Sequence, residues 1–221
     1  MEPFRTHTGS IAVVPGDNVD TDRIIPARFL TMITRVGFGD LLFHDVRAAD
    51  FELDQPRAKG ASVMVVGTNF GCGSSREHAV WAIQQAGYRA VIAKKNDASP
   101  GFSDIFRANA GNCGLLLIEL GEADHAKLSA AGSGAEITID LPTQTVRVGG
   151  ETLSFDIAPA TKEALVNGWD LIGTTLVHEG NISAYERTSP FYVPEHSNDA
   201  ALHGAVQMAV LRSVAKAARP Q

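Results

Sequence analysis

The residues best suited to chemistry lie in one glycine-rich segment, Gly67 to His78, which follows a valine-rich run and precedes a helical pattern. Glycines let the backbone turn sharply and come close to a ligand. The N-terminus of the following helix would present unpaired N–H groups and about half a positive charge. Arg76 adds a planar fork that holds a carboxylate through two parallel hydrogen bonds. The segment therefore predicts a site for a small anion, with Ser74 and Ser75 beside it as helix-capping residues.

Other glycine-rich motifs fit this segment less well. A phosphate-binding loop needs a lysine followed by serine or threonine after its glycines, and none is present. A dinucleotide fingerprint needs a third glycine where Arg76 stands. A nucleophile elbow needs glycines at alternate positions around its serine. A Ser74–His78 pair would suit a hydrolase, but the sequence shows no acid to orient the histidine.

A purely structural interpretation of the same residues also stays open. Ser74 and Ser75 are residue types that commonly do no more than cap a helix. Arg76 would then pair with Glu77 or another surface acid, without any role in binding a ligand.

Composition narrows the class of protein. The chain has 221 residues, of which 44% are hydrophobic and 20% charged, as expected for one globular domain with a short appendage. Its net charge is −6 and no basic stripe stands out, which argues against a nucleic-acid partner. The N-terminus has no apolar signal core, and no apolar run approaches the roughly 20 residues that cross a bilayer. We therefore expect a soluble, cytoplasmic protein.

The elements around the glycine-rich segment predict an α/β fold with a mostly parallel core sheet. Strands alternate with helices in the order Ala61–Gly67, Arg76–Ala86, Ala90–Ala93, Phe102–Asn109 and Leu115–Glu119. Such alternation implies crossover connections between parallel strands. An earlier strand, Ile11–Val14, ends in a turn, and residues 20–56 are irregular with at most a short helix after Pro26.

The remaining chain predicts short antiparallel strands and two further helices. The strands are Glu136–Ile139, Thr145–Val148 and Leu153–Asp156, and a helix over Ala160–Asn167 stops near Gly168. Between Asn198 and Ala218, apolar residues recur every four positions, which predicts an amphipathic tail helix. We expect a main domain over residues 1–194 and a helical extension over 195–221.

The segment from Gly71 to His78 resembles the signature of the swivelling domain of aconitases and isopropylmalate isomerases. Other segments resemble further blocks of that family, in the family's order: Asp17–Pro26, Val36–Phe43, Gly101–Asn109 with Gly114–Leu116, and Asn167–Glu179. The resemblance implies an aconitase-type swivelling β/β/α domain with a mostly parallel core sheet and additional short strands, to which the apolar pattern of the tail adds a C-terminal tail helix.

The resemblance also assigns roles to individual residues. It makes Ser74 the base that removes a proton from the carbon next to a carboxylate. The N–H groups of the turn, the helix N-terminus and Arg76 would stabilise the alkoxide that such a base requires. Ser75 and Arg76 would hold the substrate carboxylate, and Asp22 matches an active-site aspartate. Arg35 falls near the place of a second substrate-binding arginine.

Two neighbouring features leave alternatives. Arg28 competes with Arg35 for the place of the second arginine, unless Arg28 is simply a solvated charge. Apolar residues nearby would contact the alkyl group of the substrate, unless they only fill the core: Phe29, Leu30, Met32 and Ile33.

The number of cysteines bears on whether this chain can hold a metal cluster. The chain has only Cys72 and Cys113, in neither a CxxC pair nor an array with zinc spacing, so we expect reduced thiols and no metal on this chain. The resemblance implies a 4Fe–4S cluster held by three cysteines, a count that two cysteines cannot meet. The cluster is therefore expected on a separate large subunit, with the active site between the two chains.

The implied activity is the interconversion of 2-isopropylmalate and 3-isopropylmalate in leucine biosynthesis, by dehydration and rehydration through isopropylmaleate. One alternative is a sister hydro-lyase acting on citramalate, dimethylmalate or homoaconitate. Another is a non-catalytic module that binds a dicarboxylate. The sequence departs from the family pattern in an apparent insertion at Lys94–Pro100 and in the tail beyond Glu195.

Overall fold

The computed structural model describes residues 1–74 and 76–188. The chain divides into two compact units, Met1–Leu171 and a second unit that begins at Ile172. The predicted tail helix, Asn198–Ala218, lies outside the described residues, and the predicted domain boundary at 194/195 stays a prediction.

One seven-stranded sheet organises the first unit, in the order β4-β3-β2-β1-β5-β6-β7. Its strands are β1 (Thr6–Val14), β2 (Val63–Val66), β3 (Ala90–Lys95), β4 (Leu116–Gly121), β5 (Glu136–Asp140), β6 (Thr145–Val148) and β7 (Glu151–Ser154). Strands β1 to β4 pair in parallel, and β5 to β7 continue the sheet as antiparallel strands. The predicted mixed α/β class, with a parallel core and short additional strands, is confirmed.

Strand β1 belongs to both halves of the sheet. Its first part, Thr6–Ser10, pairs antiparallel with β5, and its second part, Ile11–Val14, pairs in parallel with β2. The sequence predicted only the second part. The residues of the first part are mostly polar and none is fully buried. They therefore lack the apolar pattern by which a strand is recognised.

The helices lie on both faces of this sheet. They are α1 (Thr21–Ile24), α2 (Glu77–Gln85), α3 (Asp104–Cys113), α4 (Glu122–Ala131) and α5 (Pro159–Asn167). Side chains of β2 alternate between two buried clusters. Met64 and Val66 pack with α2 and α3, whereas Val63 and Val65 face the cluster that holds Leu128 of α4 and Leu165 of α5.

Three helices differ from the prediction. Helix α1 is an additional turn before Pro26, where the Asp20 carboxylate accepts the Arg23 N–H at 2.7 Å and caps it; the short helix predicted after Pro26 is the 3-10 turn at Ala27–Thr31. The hydrophobic pattern does not predict α4, because its buried side chains are only His125 and Leu128. Helix α3 begins two residues later than expected and runs to Cys113.

The crossover from β1 to β2 passes over the face that α2 and α3 cover. It contains α1 and short 3-10 turns at Ala27–Thr31, Gly39–Leu41, Glu52–Asp54 and Pro56–Ala58, so the prediction of an irregular segment is confirmed. Phe38 and Leu42 are fully buried against the first cluster.

The second unit holds α6 (Leu171–Leu176), which begins at its boundary, and α7 (Glu179–Thr188). Large apolar side chains in its described part are exposed: Ile172, Leu176, Val177, Ile182 and Tyr185. Within residues 1–74 and 76–188, no helix is both long and apolar enough to cross a membrane.

Gly39, in the irregular crossover, packs closely against the end of α2. A Cβ at Gly39 would lie 2.6 Å from the carbonyl group of Gln85. We predict that Gly39→Ala destabilises the chain by about 1–3 kcal/mol, since backbone must move to admit the methyl group. Urea unfolding followed by circular dichroism measures this change.

Gly111→Ala is the matched control for that substitution. A Cβ at Gly111, inside α3, would meet only the Thr161 methyl group at 3.9 Å. Alanine is favoured over glycine inside a helix by about 1 kcal/mol, so this variant should be as stable as the wild type or more so. Equal loss of stability in both variants would contradict the described contact.

Candidate active site

Three loops meet where the parallel strands β1, β2 and β3 end. The Gly71 N–H donates to the Val19 carbonyl at 2.8 Å, and the Thr21 N–H donates to the Cys72 carbonyl at 3.1 Å. On the other side, the Asn69 N–H donates to the Pro100 carbonyl at 2.8 Å. The carboxyl ends of adjacent parallel strands lie at one edge of a sheet, which is where open α/β sheets bind ligands.

Gly71 lets the glycine-rich loop lie against α3. Its φ is +73°, and a Cβ at this position would be 2.3 Å from the ring of Phe106. The Ser103 hydroxyl donates to the Gly71 carbonyl at 2.6 Å. The loop is therefore packed against Phe106 and Ser103. Gly73, with φ +81°, makes a turn directly before the exposed Ser74.

Ser74 lies exposed in the turn that precedes α2. Helix α2 is capped at Arg76, whose side chain makes no capping hydrogen bond, so the prediction that Ser74 caps the helix is wrong. Ser75, predicted to bind substrate, lies outside the described residues. The exposed position of Ser74 is the one that a base acting on an external substrate requires.

Arg76 and Asp22 come together at the same place. The Arg76 Nη1 atom donates to Asp22 Oδ1 at 2.8 Å, across 54 positions of sequence. Both side chains remain open to solvent, with 37% and 58% of their surface exposed. Two residues that the sequence assigned to the substrate site are therefore in contact, and Ser74 lies two positions from Arg76.

Arg35 contacts α2 further along the helix. Its guanidinium lies 5.2 Å from the ring centroid of Trp81, and the Gln85 side chain donates to its carbonyl at 2.8 Å. The structure thus packs Arg35 against the side of α2, and its described contacts do not include Asp22 or Arg76. Its role toward the substrate stays a prediction.

Arg28, the competing candidate, is engaged elsewhere. Both of its terminal nitrogens donate to the Asp45 carboxylate, and the guanidinium lies 4.4 Å from the Phe29 ring centroid. This pairing lowers the pKa of Asp45 well below its usual range. The bidentate pair favours Arg35 over Arg28 as the arginine available to a ligand.

The apolar residues after Pro26 divide between core and surface. Phe29 and Met32 pack against the first buried cluster, whereas the Ile33 side chain is fully exposed. Leu30 is half-buried. Of this group, Ile33 is the one best placed to contact a ligand or another chain.

His78 packs against aromatic rings. Its ring lies 4.6 Å from Trp81 and 5.4 Å from Phe38, between ring centroids. This environment does not favour the hydrolase alternative, which needs His78 to be oriented toward Ser74.

The two cysteines sit in different surroundings. The Cys113 thiol donates to the Glu77 carboxylate at 3.3 Å, and burial together with Glu77 raises its pKa to about 12. Burial also raises the pKa of Cys72, in the glycine-rich loop. Across the part of the chain that the structure describes, no three His, Cys, Asp or Glu side chains form a group that could hold a metal ion. The described donor set therefore does not fit an iron–sulfur cluster.

Sequence reasoning missed the polar contacts that join the β1 and β2 loops. The Asp17 carboxylate accepts the Thr68 N–H at 2.7 Å, and the Asn69 amide donates to Asn18 Oδ1 at 2.8 Å. Asn18 and Asn69 both adopt positive φ, of 56° and 53°. Asparagine tolerates this conformation, so the Asp17-Asn18 and Thr68-Asn69 pairs were the available signal.

Comparison with known families agrees with this arrangement. Residues 1–123 match the model of the aconitase C-terminal domain, and residues 126–159 match a model described as LeuD_N.

Solved and curated proteins extend the agreement over most of the chain. Small subunits of 3-isopropylmalate dehydratase from Shewanella sp. strain W3-18-1 and Shewanella putrefaciens strain CN-32 are each 47% identical over 199 residues, covering 84% of this chain and 96% of theirs. The crystal structure of 3-isopropylmalate dehydratase from Methanocaldococcus jannaschii superposes with a TM-score of 0.60 at 28% identity. The superposed region covers 81% of this chain and 98% of the Methanocaldococcus jannaschii chain.

The exposed Asp22–Arg76 pair should contribute little to stability. Ion pairs in contact with solvent are worth about 0–1 kcal/mol, so we predict that Asp22→Asn and Arg76→Gln each shift the free energy of unfolding by less than about 1 kcal/mol. Urea titration of both variants and of the double variant measures the pair. A loss of several kcal/mol in either single variant would show that the pair serves the fold.

The Cys113 thiol should react slowly with alkylating reagents. A group with a pKa of about 12 is almost entirely protonated at pH 8.5, and only the thiolate reacts readily with iodoacetamide. We predict that Cys113 is labelled slowly in Cys72→Ser, and faster in Cys72→Ser/Glu77→Gln, because removing the carboxylate lowers the thiol pKa. Peptide mass spectrometry follows the labelling. No acceleration in the second variant would contradict the Cys113–Glu77 contact.

Proposed function

This chain belongs to the aconitase C-terminal domain family, among the small subunits of 3-isopropylmalate dehydratase, and we propose that it performs that family's reaction with Ser74 as the base. The chain is thus one part of a hydro-lyase of leucine biosynthesis. The observation that carries the assignment of Ser74 is its exposed position in the turn before α2, two residues from the Asp22–Arg76 pair.

Substrate binding follows from the same geometry. Arg76 presents a guanidinium beside the N-terminus of α2, and both favour a carboxylate. We assign the substrate carboxylate to Arg76, with Ser75 as a second donor. Binding would loosen the Asp22–Arg76 contact or extend it into a three-membered network. Arg35 would reach a second carboxylate from its position over Trp81.

Proton removal by Ser74 is coupled to the loss of hydroxide from the neighbouring carbon. Ser74 takes the proton from the carbon next to a carboxylate, the C–H electron pair forms the carbon–carbon double bond, and the neighbouring C–O bond breaks. Water then adds to the intermediate in the opposite orientation, and Ser74 returns the proton to the other carbon. The positive end of α2 and Arg76 stabilise the serine oxygen while it lacks a proton.

The departing hydroxide requires a Lewis acid, and no described group of side chains in this chain could hold a metal ion. We therefore propose a separate large subunit as the partner, carrying the 4Fe–4S cluster that the family resemblance implies. This subunit would cover Ser74 and exclude water from the site. We also propose a cytoplasmic location, where soluble acids of amino-acid biosynthesis are available.

Among related substrates, isopropylmalate is favoured by the comparisons, because the similar small subunits are named for it. The exposed Ile33 side chain offers an apolar contact for an isopropyl group. Citramalate, dimethylmalate and homoaconitate are the comparison substrates in the test below.

The activity test combines the full-length chain with its large subunit and follows isopropylmaleate by ultraviolet absorbance. We predict turnover with 3-isopropylmalate and a loss of about 10²–10⁴-fold in kcat for Ser74→Ala, the usual contribution of a positioned base. Ser154→Ala is the matched control, since Ser154 is exposed on β7 at the far edge of the sheet. It should keep wild-type turnover.

Two results would contradict the proposal. Turnover of Ser74→Ala at the wild-type rate would remove Ser74 as the base. Tight binding of a dicarboxylate to the isolated chain, with no turnover in the presence of the large subunit, would instead support a non-catalytic module.

A further inference from the structure

Asp17, Thr68 and Lys94, which have no role in the proposed reaction, form a charged contact close to the loop that carries Ser74. Asp17 Oδ1 accepts the Thr68 N–H at 2.7 Å and lies 3.5 Å from Lys94 Nζ. Asp17 follows β1, Thr68 follows β2, and Lys94 lies near the end of β3. This Asp17–Thr68–Lys94 contact, called here the carboxylate clamp, therefore joins the ends of three adjacent strands.

The clamp joins the two loops that carry the candidate site. One loop runs from Asp17 to Asp22, and the other runs from Thr68 to Ser74. The Asn18 N–H also donates to the Thr68 carbonyl at 2.9 Å. Thr68 is thus held by both its N–H and its carbonyl group, so a shift of Asp17 would move the start of the Ser74 loop.

Close approach at Gly67 shows how tightly the loops fit. A Cβ at Gly67 would lie 2.3 Å from Asp17 Oδ1 and 2.3 Å from the Gly16 carbonyl oxygen. The Asp17 carboxylate therefore rests directly on the backbone that leads from β2 into the catalytic turn. The Thr68 N–H lowers the pKa of Asp17, and Lys94 acts in the same direction.

Lys94 belongs to the segment where the sequence departs from the family pattern. Strand β3 runs on through Lys95, and a tight turn follows, in which the Asn96 N–H donates to the Ser99 carbonyl at 3.0 Å. Successive strand residues point to opposite faces. Lys94 is accordingly half-buried against Asp17, while Lys95 is exposed.

The end of β2 is held from the other face of the sheet as well. The His125 imidazole, on α4, donates to the Val66 carbonyl at 2.7 Å. Burial lowers the pKa of His125. The last residue of β2 is therefore held by α4, and the clamp holds the chain directly after it, from Gly67 to Thr68.

We propose that Asp17, held by Lys94, is a positioning residue that sets the distance between Ser74 and the Asp22–Arg76 pair. This inference rests on the proposed function, because it concerns the geometry of that same site. Asp17 and Lys94 are partly exposed, with 47% and 29% of their side-chain surface accessible. Such a pair contributes little to global stability, whereas a misplacement of about 1 Å can lower turnover about a hundredfold.

The test measures kcat, KM and unfolding for variants of the full chain assembled with its large subunit. We expect kcat to fall about tenfold for Lys94→Met and up to about a hundredfold for Asp17→Ala, with the KM and the urea midpoint close to wild type. Asp17→Asn should retain more activity than Asp17→Ala, because an amide oxygen still accepts the Thr68 N–H. Lys95→Met, the matched control, should keep wild-type kcat.

A second measurement is independent of turnover. Hydrogen exchange of the Thr68 amide, followed by NMR on the isolated chain, should be slow in the wild type and faster in Asp17→Ala and Lys94→Met. If Ser74→Ala matched the wild type in turnover, the proposed function would fail, and the Thr68 amide would still report on the clamp.

The inference is overturned if Lys94→Met and Asp17→Ala keep wild-type kcat while Ser74→Ala is inactive. It is also overturned if Thr68 exchanges at the same rate in all variants. If Asp17→Ala does not fold, Lys94→Met against Lys95→Met decides the question, because that pair of variants leaves the loop sequence unchanged.

Discussion

The main-chain hydrogen bonds between the loops that follow β1, β2 and β3 are the constraint on which the rest of the site depends. They run from Gly71 to Val19, from Thr21 to Cys72 and from Asn69 to Pro100. Because backbone groups make these contacts, the side chains of Asp22 and Ser74 are not needed to hold the loops together. Parallel strands end at one edge of the sheet, so residues far apart in sequence meet there.

In the proposed function, the site on this chain is one half of the active site. Ser74 is exposed, and the Asp22–Arg76 pair is open to solvent, so neither gains much stability from its position. Charges and dipoles interact more strongly when water is excluded from a site. A partner that covers this edge would supply both the exclusion of water and the acid for the departing hydroxide. The exposed charges are compatible with the proposed assembly with a second subunit.

The core strands and helices around the glycine-rich loop were predictable from the sequence, because the valine-rich run before Gly67 and the helical pattern after Arg76 encode burial directly. The family resemblance assigned Asp22 and Arg76 to one site, but their direct contact was not predicted. The polar half of β1 and helix α4 were not predictable, because their stability comes from pairing with β5 and from packing of His125 and Leu128. The clamp at Asp17 was also missed, since a hydrogen bond to Thr68 and an ion pair with Lys94 leave no periodic signal.

The most direct test of the central claim is a structure of the assembled two-subunit complex with a bound isopropylmalate or a close analogue. The account predicts Ser74 Oγ within about 3–3.5 Å of the carbon that loses its proton, as a near-attack geometry requires, with a substrate carboxylate on Arg76. A ligand bound on a different face, with Ser74 open to solvent and remote from the partner subunit, would contradict the account.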